Sequence, residues 1–332
     1  MSGIIAATVI AGCAGPNSPS NTLTGAITLV STTRTPGWAE DVCVWGDSAF
    51  VADNDRGIVI YDVSNIAGPV LKDTIATFKK ATLVRYLPTL QKVIVSEGRI
   101  AGYDLVSEAI DFNAYQGDAA DFYASEVGDG QIFVAEVDKL DGFRYVTFYR
   151  DPIYGWLIFE EKVVTSNPNY VSFLGLCVDS VYVYIAHGEY GVDIYQVNYL
   201  PGGDNLATFL GNVDTPGAAY DLAITPDGNH LVVADYQNGI QIVDVTDKSN
   251  PKLMGSLLPD GVDAIIKICV QDDIAYFIDQ HNGIFAADVR DFNGPELTAI
   301  FDSPEPKSLF VTADHTIYLA DEDLGLMILK WR

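Results

Sequence analysis

The sequence is short of positive charge. Its 332 residues carry 19 Lys and Arg against 45 Asp and Glu, a formal net charge of −26. So acidic a surface repels phosphate backbones and anionic lipid headgroups, which excludes nucleic acid as an expected partner. No apolar run reaches the ~18 residues that a membrane-crossing helix needs, so membrane association is expected only through an attached lipid. Cysteine is scarce, with four in the chain, and no CxxC, CxxCH or HExxH spacing provides a zinc or haem signature. GxSxG, GxGxxG and phosphate-binding loops are missing as well. These absences lean away from catalysis, although an enzyme assembled from isolated residues needs no motif.

What is plentiful is the vocabulary of short strands and turns: 18 Tyr, 15 Phe, 29 Gly and 15 Pro. The chain also repeats itself. AEDVCVWGDSAFVADNDRGIVIYDVSNIAGPVLKDTI (39–75) returns as AYDLAITPDGNHLVVADYQNGIQIVDVTDKSNPKLMGSL (219–257) and as AIIKICVQDDIAYFIDQHNGIFAADVRDFNGPELTAI (264–300). A shorter copy closes the chain at 308–330, a further one lies at 174–197, and weaker ones begin near Lys92 and Ile132. One residue expected at the end of each second strand serves as a ruler: Asp53, Glu97, Glu136, His187, Asp235, Asp279 and Asp321. Its spacing averages about 45 residues, and each copy holds alternating apolar runs of strand length rather than a 3.6-residue period. Four short strands per repeat predict an all-β, seven-bladed β-propeller with four-stranded antiparallel blades over residues 25–332. The last copy stops after three strands. GAITLVSTTRTPG (25–37) is therefore expected to close the ring by pairing with the C-terminal blade.

The phrases VADNDRGIVIYDVSN and VADYQNGIQIVDVTDKSNP, with the TPG turns at 35–37 and 215–217, resemble LVIVD repeats. The resemblance is strong in blades one, five and six and weak in blades two and three, which lack the Asp-Val-Ser/Thr signature. It implies a bacterial or archaeal surface propeller and transfers no catalytic residue. Residues 1–24 read as a signal-like segment and tether. Ile10-Ala11-Gly12-Cys13 resembles a lipoprotein box, which makes Cys13 the expected lipidation site and implies a cell-surface, periplasmic or extracellular protein. No Lys or Arg precedes the apolar run, so an apolar N-terminal strand is the alternative.

Cys43, Cys177 and Cys269 share one repeat position midway along the innermost strand, where a small apolar side chain is wanted; buried free thiols are expected. Acids gather after the second strands. Asp53, Asp55, Glu136, His187, Asp235, Asp279, His281 and Asp321 form a candidate cation- or partner-binding rim, with Glu40, Asp41, Asp221 and Asp263 on the same face. The D-x-D-x-G runs at 53–57 and 321–325 look like calcium loops but lack a further oxygen ligand at Gly57 and Gly325. Turn chemistry is the plainer reading, with Ca2+ or another divalent cation as the alternative cofactor to none. In blade three, FRYVTFYRDPIYGWLIFEE (143–161) offers Tyr154 and Trp156 as aromatic contacts, unless its aromatics fill the sheet-to-sheet core. The expected function is a non-enzymatic module that binds a protein or surface glycan, or builds an assembly. A divalent-metal hydrolase using the rim acids, and a repeating subunit of an extracellular filament or layer, are the alternatives.

Overall fold

In the repeats, the second and third strands are apolar along their whole length rather than at alternate positions. A strand can bury both faces only if its sheet is sandwiched between two others. The structure, a computed structural model, describes residues 23–105, 110–114, 119–127, 131–138, 142–151, 155–164, 173–198 and 206–332. It contains seven four-stranded antiparallel sheets, each formed by strands adjacent in sequence except the one that closes the ring. The first, innermost strands are Asp41–Trp45, Leu83–Leu87, Ala119–Val127, Gly175–Asp179, Asp221–Ile224, Ile265–Gln271 and Pro306–Val311. Each touches the next around the ring, and the last touches the first. This is the predicted seven-bladed propeller.

The core consists of layers between blades. Tyr276, Ile278 and Ile284 of blade six meet Ile317, Leu319 and Leu329 of blade seven. Val51 and Val59 of blade one meet Ala320 and Ile328 on blade seven's other side. Each fully buried aliphatic side chain contributes about 1.5–3 kcal/mol, so blades hold one another mainly through buried area, with isolated backbone bridges such as Asn54–Ala81, Gly188–Ala219 and Tyr236–Ile265 between neighbours. The fourth strands face solvent: Val70–Ile75 is exposed at every residue except Ile75. Ring closure follows the sequence expectation, because Ile27–Thr33 pairs antiparallel with Gly325–Trp331 and supplies the outer strand of blade seven.

Candidate functional site: the channel and its mouth

The ruler acids do their work inside their own blades. Asp53, Asp235, Asp279 and Asp321 are fully buried. Each accepts hydrogen bonds from the loop that leads into the first strand of the same blade. Gly37 N donates to Asp53 (2.7 Å), and Gly217 N and Thr215 Oγ1 donate to Asp235 (2.9 and 2.6 Å). Asp263 N and Ala264 N donate to one oxygen of Asp279, and His281 N and Asn282 N to the other. Ser303 Oγ and Glu305 N donate to Asp321, whose second oxygen takes Asp323 N and Leu324 N. Repeat phase had placed these acids on an exposed rim. The structure corrects that: the strand-end carboxylate turns inward because the incoming loop has backbone N–H groups that no strand can satisfy. Burial pushes the carboxyls of Asp53 and Asp235 upward. Burial acts on Asp279 too, but its larger set of N–H donors outweighs it and leaves that carboxyl below its ordinary value.

The remaining rim positions scatter. Glu136 lies within the strand Gln131–Asp138 rather than at its end, so the ruler slips by two residues in blade three. It is buried against Arg144, with Nη1 3.5 Å away. His187 is buried, its Nδ1 3.0 Å from Asp193 Oδ2. His281 and Asp55 are exposed, beside Asp263 (2.8 Å) and Lys80 (3.8 Å). Asn54 and Gly57 hold left-handed φ values of 51° and 81° in the Asp53–Gly57 run, as turn chemistry requires. Among the described residues, no three His, Cys, Asp or Glu side chains come together to hold one ion. Cys13 and Tyr154 lie outside the described residues; Trp156 lies on the strand Gly155–Val164, and its side chain is outside the description as well.

The charged cluster that does exist lines the channel, and sequence reasoning missed it as a cluster. Asp41, Asp121 and Asp221, in blades one, three and five, each accept a backbone N–H from the first strand of the next blade. The donors are Val84 (2.9 Å), Leu176 (3.3 Å) and Ile268 (3.0 Å). Two cations join these staples. Arg85 of blade two reaches Asp41 (2.7 Å) and Asp121 (3.2 Å). Lys267 of blade six reaches Asp221 (3.6 Å) and, across the axis, Asp121 of blade three (3.3 Å). Ser308 of blade seven donates to Asp41 (2.5 Å), so the ring is closed at the axis as well as at its edge. Burial pushes the Asp221 carboxyl up to about 6; the Lys267 ammonium pulls it down and Asp121 adds to the rise. Burial works against the ammonium of Lys267, but Asp121 and Asp221 hold it protonated well above its usual range. The signal was present in the sequence: Asp41 and Lys267 each stand two residues before a channel cysteine.

Cys43, Cys177 and Cys269 line the same cavity of about 350 Å³ with Arg85 and Lys267. All three are free. Burial pushes the Cys43 and Cys269 thiols up to about 12 and raises Cys177 well above its ordinary value. At neutral pH they are neutral thiols and poor nucleophiles. The channel is therefore a cavity lined by neutral thiols and tied across by ion pairs.

Above it, on the face where the first strands begin, the channel widens into a recess of about 870 Å³. Lys267 and Ser308 reach it from the channel, and the loop Thr77–Lys80 forms part of its wall. Phe78 on that loop is 69% exposed.

Seven four-stranded blades, closed by an N-terminal strand, define the chain as a β-propeller. Two of its blades match the sequence profile of the LVIVD repeat family, at residues 36–77 and 216–258. No curated protein matches the chain. Solved structures similar to it include the WD40 β-propeller domain of Doa1, at TM-score 0.69 and 12% identity, covering 92% of this chain and 96% of that one. The computationally designed Ika8 protein aligns at TM-score 0.65 and 10% identity, covering 91% and 99%. At such identities the likeness concerns the fold alone.

Proposed function

We propose that this propeller is a non-enzymatic binding module, working at the cell surface or outside the cell, and that it engages a partner protein through the mouth of its channel. One observation carries the reading. Phe78 is held out beside an open recess although its backbone is fixed, its N–H donating to the buried carboxylate of Glu97 (2.7 Å). An aromatic presented on a fixed backbone loses little entropy when a partner covers it, which is the property of an interface anchor. The metal-hydrolase alternative is weaker, because two of the acids it would use, Asp235 and Asp279, already accept bonds from the chain at both carboxylate oxygens. Lipid on Cys13 would supply the tether to the envelope, and the intact mass of the protein from native membranes tests that part.

The binding role is tested by placing a photo-reactive side chain at position 78 or at Trp45, an exposed residue at the opposite end of blade one's first strand. Irradiation in the protein's own cells should give a discrete adduct with a second protein from position 78 and none from position 45. Adducts from 45 alone, or from neither, would overturn the reading. Adducts with a second copy of the chain would favour the assembly alternative.

A further inference from the structure

Blade two differs from blades one and five at one informative place. Aligned on the buried alanines Ala39, Ala81 and Ala219, the incoming loop reads Thr35-Pro36-Gly37-Trp38 in blade one and Thr215-Pro216-Gly217-Ala218 in blade five. In blade two it reads Thr77-Phe78-Lys79-Lys80. The glycines have a reason: a Cβ on Gly37 or Gly217 would come 2.5 Å from the carbonyl oxygen of Asp53 or Asp235. Blade two drops the glycine and changes the staple with it. The strand-end acid is Glu97, one methylene longer, and it takes the N–H of Phe78 one residue earlier in the loop. Tyr103 Oη also donates to Glu97 (2.6 Å), and Arg99 pairs with it (2.9 Å) while lying over the Phe78 ring at 4.7 Å. Blade two thus departs from the arrangement of blades one and five in the loop and in the acid together, as a loop adapted to another use would.

The loop also brings two cations to the recess. The recess is lined by four lysines and two acids, in a chain with 19 cations and 45 acids. Lys267 and Lys307 are committed, the first to Asp121 and Asp221, the second to Glu322 (2.6 Å) and Glu305 (3.6 Å). Lys79 and Lys80 remain. Lys80 has Asp55 at 3.8 Å, both side chains more than half exposed, a pair worth at most about 1 kcal/mol, and lies 5.9 Å from the centre of the Trp38 ring. Among the described residues, no carboxylate lies within ion-pair distance of Lys79. Glu40 and Asp55 share the recess, while acids further than about 8 Å away are screened at physiological salt, so a ligand that reaches Lys79 meets an ammonium with no carboxylate among the described residues paired to it.

We infer that the Thr77–Lys80 loop is the anchor for an acidic polypeptide segment of the partner, carboxylates on Lys79 and Lys80 and a large apolar side chain against Phe78. This rests on the binding-module reading and names the chemistry of its partner.

The test screens the immobilised full chain against a library of short random peptides. Sequences that place Asp or Glu beside Phe, Trp or Leu should be enriched. Their affinity should fall about tenfold with Lys79→Glu/Lys80→Glu, fall again between about 50 and 300 mM salt, and fall separately with Phe78→Ala. Trp45→Ala should leave it unchanged. All these side chains are exposed, so thermal melts should coincide and loss of fold is not confused with loss of binding. Enriched peptides without acids, or with affinities indifferent to the lysine reversals, would overturn this inference and leave the binding module standing. No enrichment of any peptide would overturn both.

Discussion

Blade five and blade two tether the same loop in different ways. Blade five has Thr-Pro-Gly held by Asp235; blade two has Thr-Phe-Lys held by Glu97. In blade five the loop is small and the carboxylate short, so backbone approaches backbone and nothing large projects. In blade two the longer carboxylate stands further off, and the space released is given to Phe78 and two lysines. At the channel the blades differ again: blade five contributes an acid, Asp221, and blade two a cation, Arg85. A repeat fold thus keeps one mechanical problem fixed and varies the answer where the surface must do something else.

Removing the staple from the regular blade should have the largest effect. Asp235→Ala leaves the Thr215 hydroxyl and the Gly217 N–H without their acceptor at a fully buried site, for a cost of about 4 kcal/mol in urea unfolding. A cost below about 1 kcal/mol would mean that water replaces the carboxylate and that the rim staple is ornamental.

The channel acid of the same blade gives a pH test whose sign is fixed. In the fold Asp221 takes up its proton at about 6; in the unfolded chain it does so near 3.8. Between those values the folded state binds more protons. Its stabilising contribution is therefore complete below 3.8 and is lost as pH rises through 6. The loss amounts to roughly 3 kcal/mol. Asp221→Asn removes this titration. The stability of the variant relative to the parent should climb between pH 4 and 6 and then level off, as read from urea midpoints at each pH. A flat difference would mean that Lys267 keeps Asp221 ionised throughout.

How much of this was legible follows the same contrast. Blades one and five announce the fold through VADNDRGIVIYDVSN and VADYQNGIQIVDVTD, because strands buried on both faces must be apolar throughout, and that leaves a long signature. The strand that closes the ring was legible from the missing fourth strand of blade seven. The rim was misread: an acid after a strand looks solvent-bound in sequence, and only the incoming loop, some sixteen to twenty residues earlier in these blades, reveals that it is an internal acceptor. The channel network was illegible for another reason. Arg85–Asp121 and Lys267–Asp121 join residues 36 and 146 positions apart, and blades two and three carry the weakest repeat signal. Phe78 escaped notice because its meaning lies in departing from Pro36 and Pro216, which an alignment of the strong blades shows only once the buried alanines fix the register.

Smaller effects are expected where the two solutions are exchanged. Glu97→Asp alone should cost about 1–2 kcal/mol, since the shorter carboxylate cannot keep both the Phe78 N–H and the Tyr103 hydroxyl. Phe78→Pro/Lys79→Gly/Lys80→Ala alone should cost a similar amount, because proline removes the N–H that Glu97 now receives.

Together the four changes rebuild blade five's arrangement in blade two, with an Asp and a glycine N–H in matching places. The combined variant should cost at most about 1 kcal/mol, so the cycle should show a favourable coupling of about 1–4 kcal/mol. Simple additivity would mean that Glu97 and the loop are independent. Recovered stability with lost peptide binding would separate the two uses of this loop: the staple serves the fold, and the Phe-Lys-Lys sequence serves the partner.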